Sequence, residues 1–75
     1  MLKIKDNVDL KELEKFGFEE DKFYYKYNTA FGFCWIWKDN YDLSPREIEL
    51  QRIETSEDLE IIFDLCQAGL VEKVV

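Results

Sequence analysis

The sequence predicts an α+β domain, a small antiparallel sheet of three to five strands with two helices packed on one face. Two segments in the middle alternate strictly between apolar and polar or small residues, the period of a half-buried strand. Two others, near the start and near the end, carry apolar residues at helical spacing between capping residues and a glycine stop. The composition is 47% hydrophobic and 16% aromatic, so 75 residues suffice for one core and one domain spanning residues 1–75. Large rings bury more area per residue than any other side chain.

Leu2 and Ile4 alternate with Lys3 and Lys5 and read as a short opening strand. Asp9 then caps a two-turn helix over Leu10–Phe16, with Glu12 three residues on as the partner of a capping box. Val8 and Leu13 occupy the positions of a hydrophobic staple, and Gly17 supplies the left-handed stop. Lys22-Phe23-Tyr24-Tyr25-Lys26-Tyr27-Asn28 and Phe31-Gly32-Phe33-Cys34-Trp35-Ile36-Trp37 follow as two strands of a hairpin, joined through 28–30. The stretch after Ser44-Pro45 offers either a capped helix or a strand. The alternation of Glu47-Ile48-Glu49-Leu50-Gln51 favours a third strand.

Residues 55–68 read as a helix, capped by Thr55, with Glu57 and Asp58 complementing its dipole and Gly69 ending it. Leu59, Ile62, Phe63 and Cys66 make its apolar stripe, widened by Ile61 and Leu65. Leu70-Val71 and Val74-Val75 are left for a terminal strand.

Large rings are expected inside. Phe23, Tyr25, Tyr27, Phe31, Phe33, Trp35 and Trp37, with Ile48 and Leu50, are therefore assigned to the face beneath the helices. The opposite face then shows Tyr24, Lys26, Gly32, Cys34, Ile36, Lys38, Glu47, Glu49 and Gln51. Tyr24, Cys34, Ile36, Glu47 and Glu49 on that face, and Ile61 and Leu65 on the second helix, are the candidate partner-binding residues. A homodimer is expected through one of these two surfaces, because a symmetric interface supplies burial that a short chain lacks.

The chemistry of the chain argues against an enzyme. It contains no His, the commonest general base and a frequent zinc ligand. Gly17, Gly32 and Gly69 are isolated, so there is no phosphate-binding glycine loop. Cys34 and Cys66 fit no metal spacing and read as small buried apolar residues kept reduced. No catalytic residue, metal or cofactor is expected. With no secretory signal and no apolar run long enough to span a bilayer, a cytoplasmic protein follows.

Net charge is −7 and uneven: residues 1–30 carry six Lys against seven acids, and residues 31–75 four basic against ten acidic groups. An acidic surface repels phosphate and anionic lipid, so neither nucleic acid nor membrane is an expected partner. A protein with a basic surface fits better, and an acidic mimic of nucleic acid that occupies a DNA- or RNA-binding protein is the alternative. Phe31-Gly32-Phe33-Cys34-Trp35-Ile36 resembles part of the aromatic octamer of RNA-recognition motifs, but Thr29-Ala30 stands where those have a basic residue and glycine. The helix–Gly–strand passage through Gly69 is similar to that of winged-helix regulators, although Glu57, Glu60 and Asp64 stand on its helix in place of basic residues.

Two longer stretches carry a resemblance of another kind. The opening Leu2-Lys3-Ile4-Lys5-Asp6-Asn7-Val8-Asp9-Leu10-Lys11-Glu12-Leu13-Glu14-Lys15-Phe16-Gly17-Phe18 and the closing Asp64-Leu65-Cys66-Gln67-Ala68-Gly69-Leu70-Val71-Glu72-Lys73-Val74 resemble small uncharacterised proteins encoded by phages and prophages of low-GC Gram-positive bacteria. The resemblance implies an accessory protein acting in the host cell by protein–protein binding, such as an inhibitor of a host enzyme or defence complex. It assigns no functional residue.

Overall fold

The computed structural model describes residues 1–40 and 44–74. Strands β1 (Leu2–Ile4) and β6 (Val71–Lys73) pair antiparallel as a two-stranded sheet. A second, four-stranded antiparallel sheet has the order β2 (Glu19–Glu20), β3 (Tyr24–Asn28), β4 (Phe33–Trp37), β5 (Ile48–Gln51). A bridge between Lys3 and Glu47 joins the two sheets. The fold is thus α+β, with six short strands among the described residues divided between two sheets.

The first helix forms where expected, over Leu10–Phe16, but as a 3-10 helix. The spacing of Leu10, Leu13 and Phe16 explains why. Residues three apart line up on one side at ~3.0 residues per turn, so this winding aims all three at the core. Asp9 caps by accepting from the backbone N–H of Lys11, while the Glu12 carboxylate pairs with Lys15 and not with the cap, so the helix has a simple cap and the expected capping box is not made. Gly17 has φ 96, a left-handed conformation that strains residues with a Cβ, and the Phe18 N–H reaches back to the Leu13 carbonyl.

The second helical segment opens as a 3-10 turn, Ser56–Leu59, and continues as α1, Glu60–Gln67. The closing bonds, Gly69 N–H to the Cys66 carbonyl and Leu70 N–H to the Leu65 carbonyl, make the same paired stop as at Gly17. Residues 48–51 are a strand, as their alternation requires. The expected extension of the last strand to Val75 lies outside the described residues.

Both helices cover one face of the four-stranded sheet. The core they enclose comprises Ile4, Leu13, Phe18, Tyr25, Cys34, Ile36, Ile61, Ile62 and Leu65. This corrects the sequence assignment of the rings to the inside: Phe23 and Phe31 fall just outside the strands and are exposed at 47% and 55%, and the rings of β4 face outward. Phe33, Trp35 and Trp37 point away from the helices, while Cys34 and Ile36 are fully buried.

The cause is the connection between β3 and β4. Residues 29–32 are even in number, so Tyr25 pairs with Ile36 and Tyr27 with Cys34: odd residues on one strand share a face with even residues on the other. From β4 to β5 the parity is kept, with Cys34 opposite Leu50 and Ile36 opposite Ile48. With Tyr25 inside, Cys34 and Ile36 must follow. A core this small also takes a thiol and an isoleucine where two indoles would overfill it.

Two polar anchors hold this register. Asp58, at 0% exposure, accepts through Oδ1 from the Thr29 hydroxyl (2.6 Å) and the Phe31 N–H (2.7 Å). Its Oδ2 accepts from the N–H groups of Glu54 (3.1 Å) and Thr55 (3.0 Å) and from the Thr55 hydroxyl (3.3 Å). One carboxylate thus ties the β3–β4 connection to the start of the second helix. At Gly32 in the same connection, an added Cβ would come within 1.9 Å of the Gln51 carbonyl oxygen, so only glycine allows this approach.

Arg46 is the second anchor. It has φ 66, and its N–H donates to the Trp37 carbonyl while the Trp37 N–H donates to the Glu47 carbonyl, which places residues 46 and 47 together against one residue of β4 in a β-bulge. The Arg46 guanidinium donates to the carbonyls of Lys5 (2.6 Å) and Val8 (2.7 Å) and grips Asp39 through both carboxylate oxygens. That grip holds the Asp39 carboxyl below its ordinary value.

Candidate binding surface

The face of the four-stranded sheet opposite the helices carries three strands' worth of outward side chains in register. Tyr24, Lys26 and Asn28 come from β3; Trp37, Trp35 and Phe33 lie opposite them on β4. Glu49 and Gln51 on β5 lie opposite Trp35 and Phe33, and the bulge brings Glu47 beside Trp37. Tyr24, Lys26, Phe33, Trp35 and Trp37 are partly exposed, and Glu49 and Gln51 are exposed.

The four rings form one continuous row. Phe33 stacks with Trp35 at 6.2 Å between centroids, Trp35 with Tyr24 at 5.9 Å, and Tyr24 with Trp37 at 5.5 Å. The Phe33–Trp35 planes differ by 8°. Lys26 places its ammonium 4.2 Å from the Phe33 centroid, a cation–π contact at one end of the row. The Trp35 indole N–H is buried without a hydrogen-bond partner among the described residues. Rings held by their neighbours lose little conformational entropy when a partner covers them, so such a row is a preorganised contact surface.

The sequence-selected residues divide sharply. Tyr24, Glu47 and Glu49 lie on this open face. Cys34 and Ile36 do not: both are at 0% exposure on the helix-covered face, for the parity reason given above. Ile61 (4%) and Leu65 (0%) are buried in the core as well, because α1 turns that side of its stripe into the sheet and leaves Phe63 outside at 60%. The helix flank formed by Ile61 and Leu65 is therefore withdrawn as a contact surface. Phe33, Trp35 and Trp37, assigned to the core from sequence, are the surface residues the sequence reading missed. The connection read from the sequence, 28–30, has an odd count and keeps the rings together; the observed connection, 29–32, has an even count and turns them outward.

Of the described titratable groups, the two moved furthest from their ordinary values, Cys34 and Asp58, lie away from this surface. The Cys34 thiol is pushed up to about 12 by burial and faces the core. The Asp58 carboxyl is held far below the usual carboxylate range, first by the Thr29 hydroxyl and then by the N–H groups of Phe31, Thr55 and Glu54, so it stays ionised and is saturated with donors. Among the described residues, no group of three or more His, Cys, Asp or Glu converges on a metal position, and no pocket opens. No described helix is long and apolar enough to cross a membrane. Comparison with protein-family models, curated proteins and solved structures gave no match.

Proposed function

We propose that this chain is a non-enzymatic binding module whose working surface is the aromatic face of the four-stranded sheet, and that it acts by covering part of another protein. The row Phe33–Trp35–Tyr24–Trp37 is the observation that carries this reading. Contiguous partly exposed rings with a polar rim are the composition of protein-contact surfaces, where Trp and Tyr supply most of the binding energy. The rim holds Glu47 and Glu49, and the chain carries −7 overall, so a partner with basic groups around an apolar centre is the best complement. The phage or prophage origin implied by the sequence resemblance makes the module an accessory protein, with inhibition of a host enzyme or defence complex as its role.

Rings on an open sheet face also suit base stacking, and the structure puts Phe33 and Trp35 where that requires. Lys26 is the cation among these rings, and the electrostatic attraction that dominates nucleic-acid affinity is missing. Protein is therefore the preferred partner.

The test uses two immobilised proteins, the parent and a Phe33→Ser/Trp35→Ser variant shown by circular dichroism to be folded. Both are exposed to one lysate of a low-GC Gram-positive bacterium, and each captured protein is purified and titrated. A partner that binds the parent and loses ~100-fold or more with the variant supports the reading, since two ring anchors at ~2 kcal/mol or more each are removed. Partners that bind both proteins equally, or a single-stranded oligonucleotide that binds the parent more tightly than any protein, would refute it.

A further inference from the structure

We propose that a second copy of this chain covers the aromatic face, the two sheets packing face to face about a twofold axis that runs along β4. The inference rests on the reading of that face as a protein-contact surface and names its occupant.

The cross-strand register carries it. Lys26 and Glu49 are the direct neighbours of Trp35 on its two sides, one on β3 and one on β5. A twofold axis along β4 leaves each β4 residue over its own copy and exchanges the flanking strands. Lys26 of one copy then lies over Glu49 of the other, and Glu49 over Lys26. In the next row Asn28 and Gln51 flank Phe33 and exchange in the same way, bringing amide to amide. In the third, Tyr24 and the bulged Glu47 flank Trp37, so a phenol meets a carboxylate. Every flanking pair is complementary under this single operation, and the centre is ring on ring. Isologous contacts require this self-complementarity, and aligned packing of two sheets supplies the geometry.

Size and charge set the strength. Three strands at ~4.8 Å and five residues at ~3.4 Å give a patch of roughly 15 by 17 Å, about 250 Å² per copy and below the range of stable protein interfaces. Each copy also carries −7, so long-range repulsion opposes the pairing. The dimer is accordingly weak, with a dissociation constant on the order of 10–100 µM, and a tighter foreign partner displaces it from the same face.

Sedimentation equilibrium of the parent, Lys26→Glu, Glu49→Lys and an equimolar mixture of the two variants decides the matter. The parent is expected to move from monomer to dimer between ~10 and ~500 µM. Each variant alone meets its twin with two like-charge contacts and should associate at least ~10-fold more weakly. In the mixture both contacts are oppositely charged again, so a heterodimer should form with an affinity within ~3-fold of the parent's. A parent monomeric throughout this range would overturn the proposal, as would a mixture that associates no better than its components. So would a basic peptide or oligonucleotide that quenches the tryptophans of a parent that stays monomeric. A monomeric parent whose captured partner still depends on Phe33 and Trp35 would leave the binding module standing and remove only the second copy.

Discussion

Cys34 and Ile36 point one way from β4, and Phe33, Trp35 and Trp37 point the other. The inner pair is small and sealed beneath two helices; the outer three are large, partly exposed and stacked. A single strand thus divides a sealed core face from an open aromatic face, residue by residue. The difference also shows that side-chain size does not decide which face goes inside. Pairing parity and the volume left under the helices decide it, and the surplus rings become surface.

The comparison breaks first at the joint that fixes the parity. Asp58→Asn replaces a carboxylate that accepts five hydrogen bonds with an amide whose own NH2 faces donors. A fall of ~10 °C or more in melting temperature is expected. The same site predicts the acid response. Because folding depresses the Asp58 carboxyl below its ordinary 3.8, its contribution is complete above that value and is lost as pH falls through it toward the folded-state value. Parent stability should therefore decline as pH falls from about 5 to about 2 with a component that the Asn variant lacks. Parallel slopes for the two proteins in urea unfolding across that range would contradict this.

That joint also marks where the sequence stopped being readable. The cap at Asp9, the stop at Gly17, the hairpin, the strand over Ile48–Gln51 and the helix ending at Gly69 were all legible, since each rests on local chemistry. The inward side of β4 was not, because alternation gives a period without a phase. The phase comes from the four residues 29–32, whereas the three-residue link 28–30 read from the sequence pairs odd residues with odd. Asp58 looked like a dipole-complementing first-turn acid. Its partners Thr29 and Phe31 lie 29 and 27 residues away, a separation no local pattern encodes. Tyr24, Glu47 and Glu49 were correctly taken as open-face residues, while Ile61 and Leu65 were taken for surplus apolar surface because the stripe of α1 was judged too wide for one sheet face.

The comparison is sharpened, with a smaller effect, by the two thiols. Cys34 is sealed, with its thiol pushed up to about 12, whereas Cys66, read from the sequence as buried, is exposed on the outer side of α1. A thiol reagent at mildly alkaline pH should modify one cysteine per chain rapidly in the folded protein and both in denaturant. Two rapidly reacting thiols in the folded protein would show that the inner face is open.

The central claim is that neighbouring residues of β4 serve opposite faces, and paired denaturation of Ile36→Ala and Trp35→Ala tests it most directly. Ile36→Ala empties a fully buried site and should cost ~2–5 kcal/mol. Trp35→Ala removes a partly exposed ring and should cost about 1–2 kcal/mol, from lost stacking with Tyr24 and Phe33 and the ring's partial burial. An isoleucine variant that unfolds well before a near-parental tryptophan variant is the predicted result. The reverse order, with Trp35→Ala the more damaged protein, would put the rings back in the core and remove the binding surface with them.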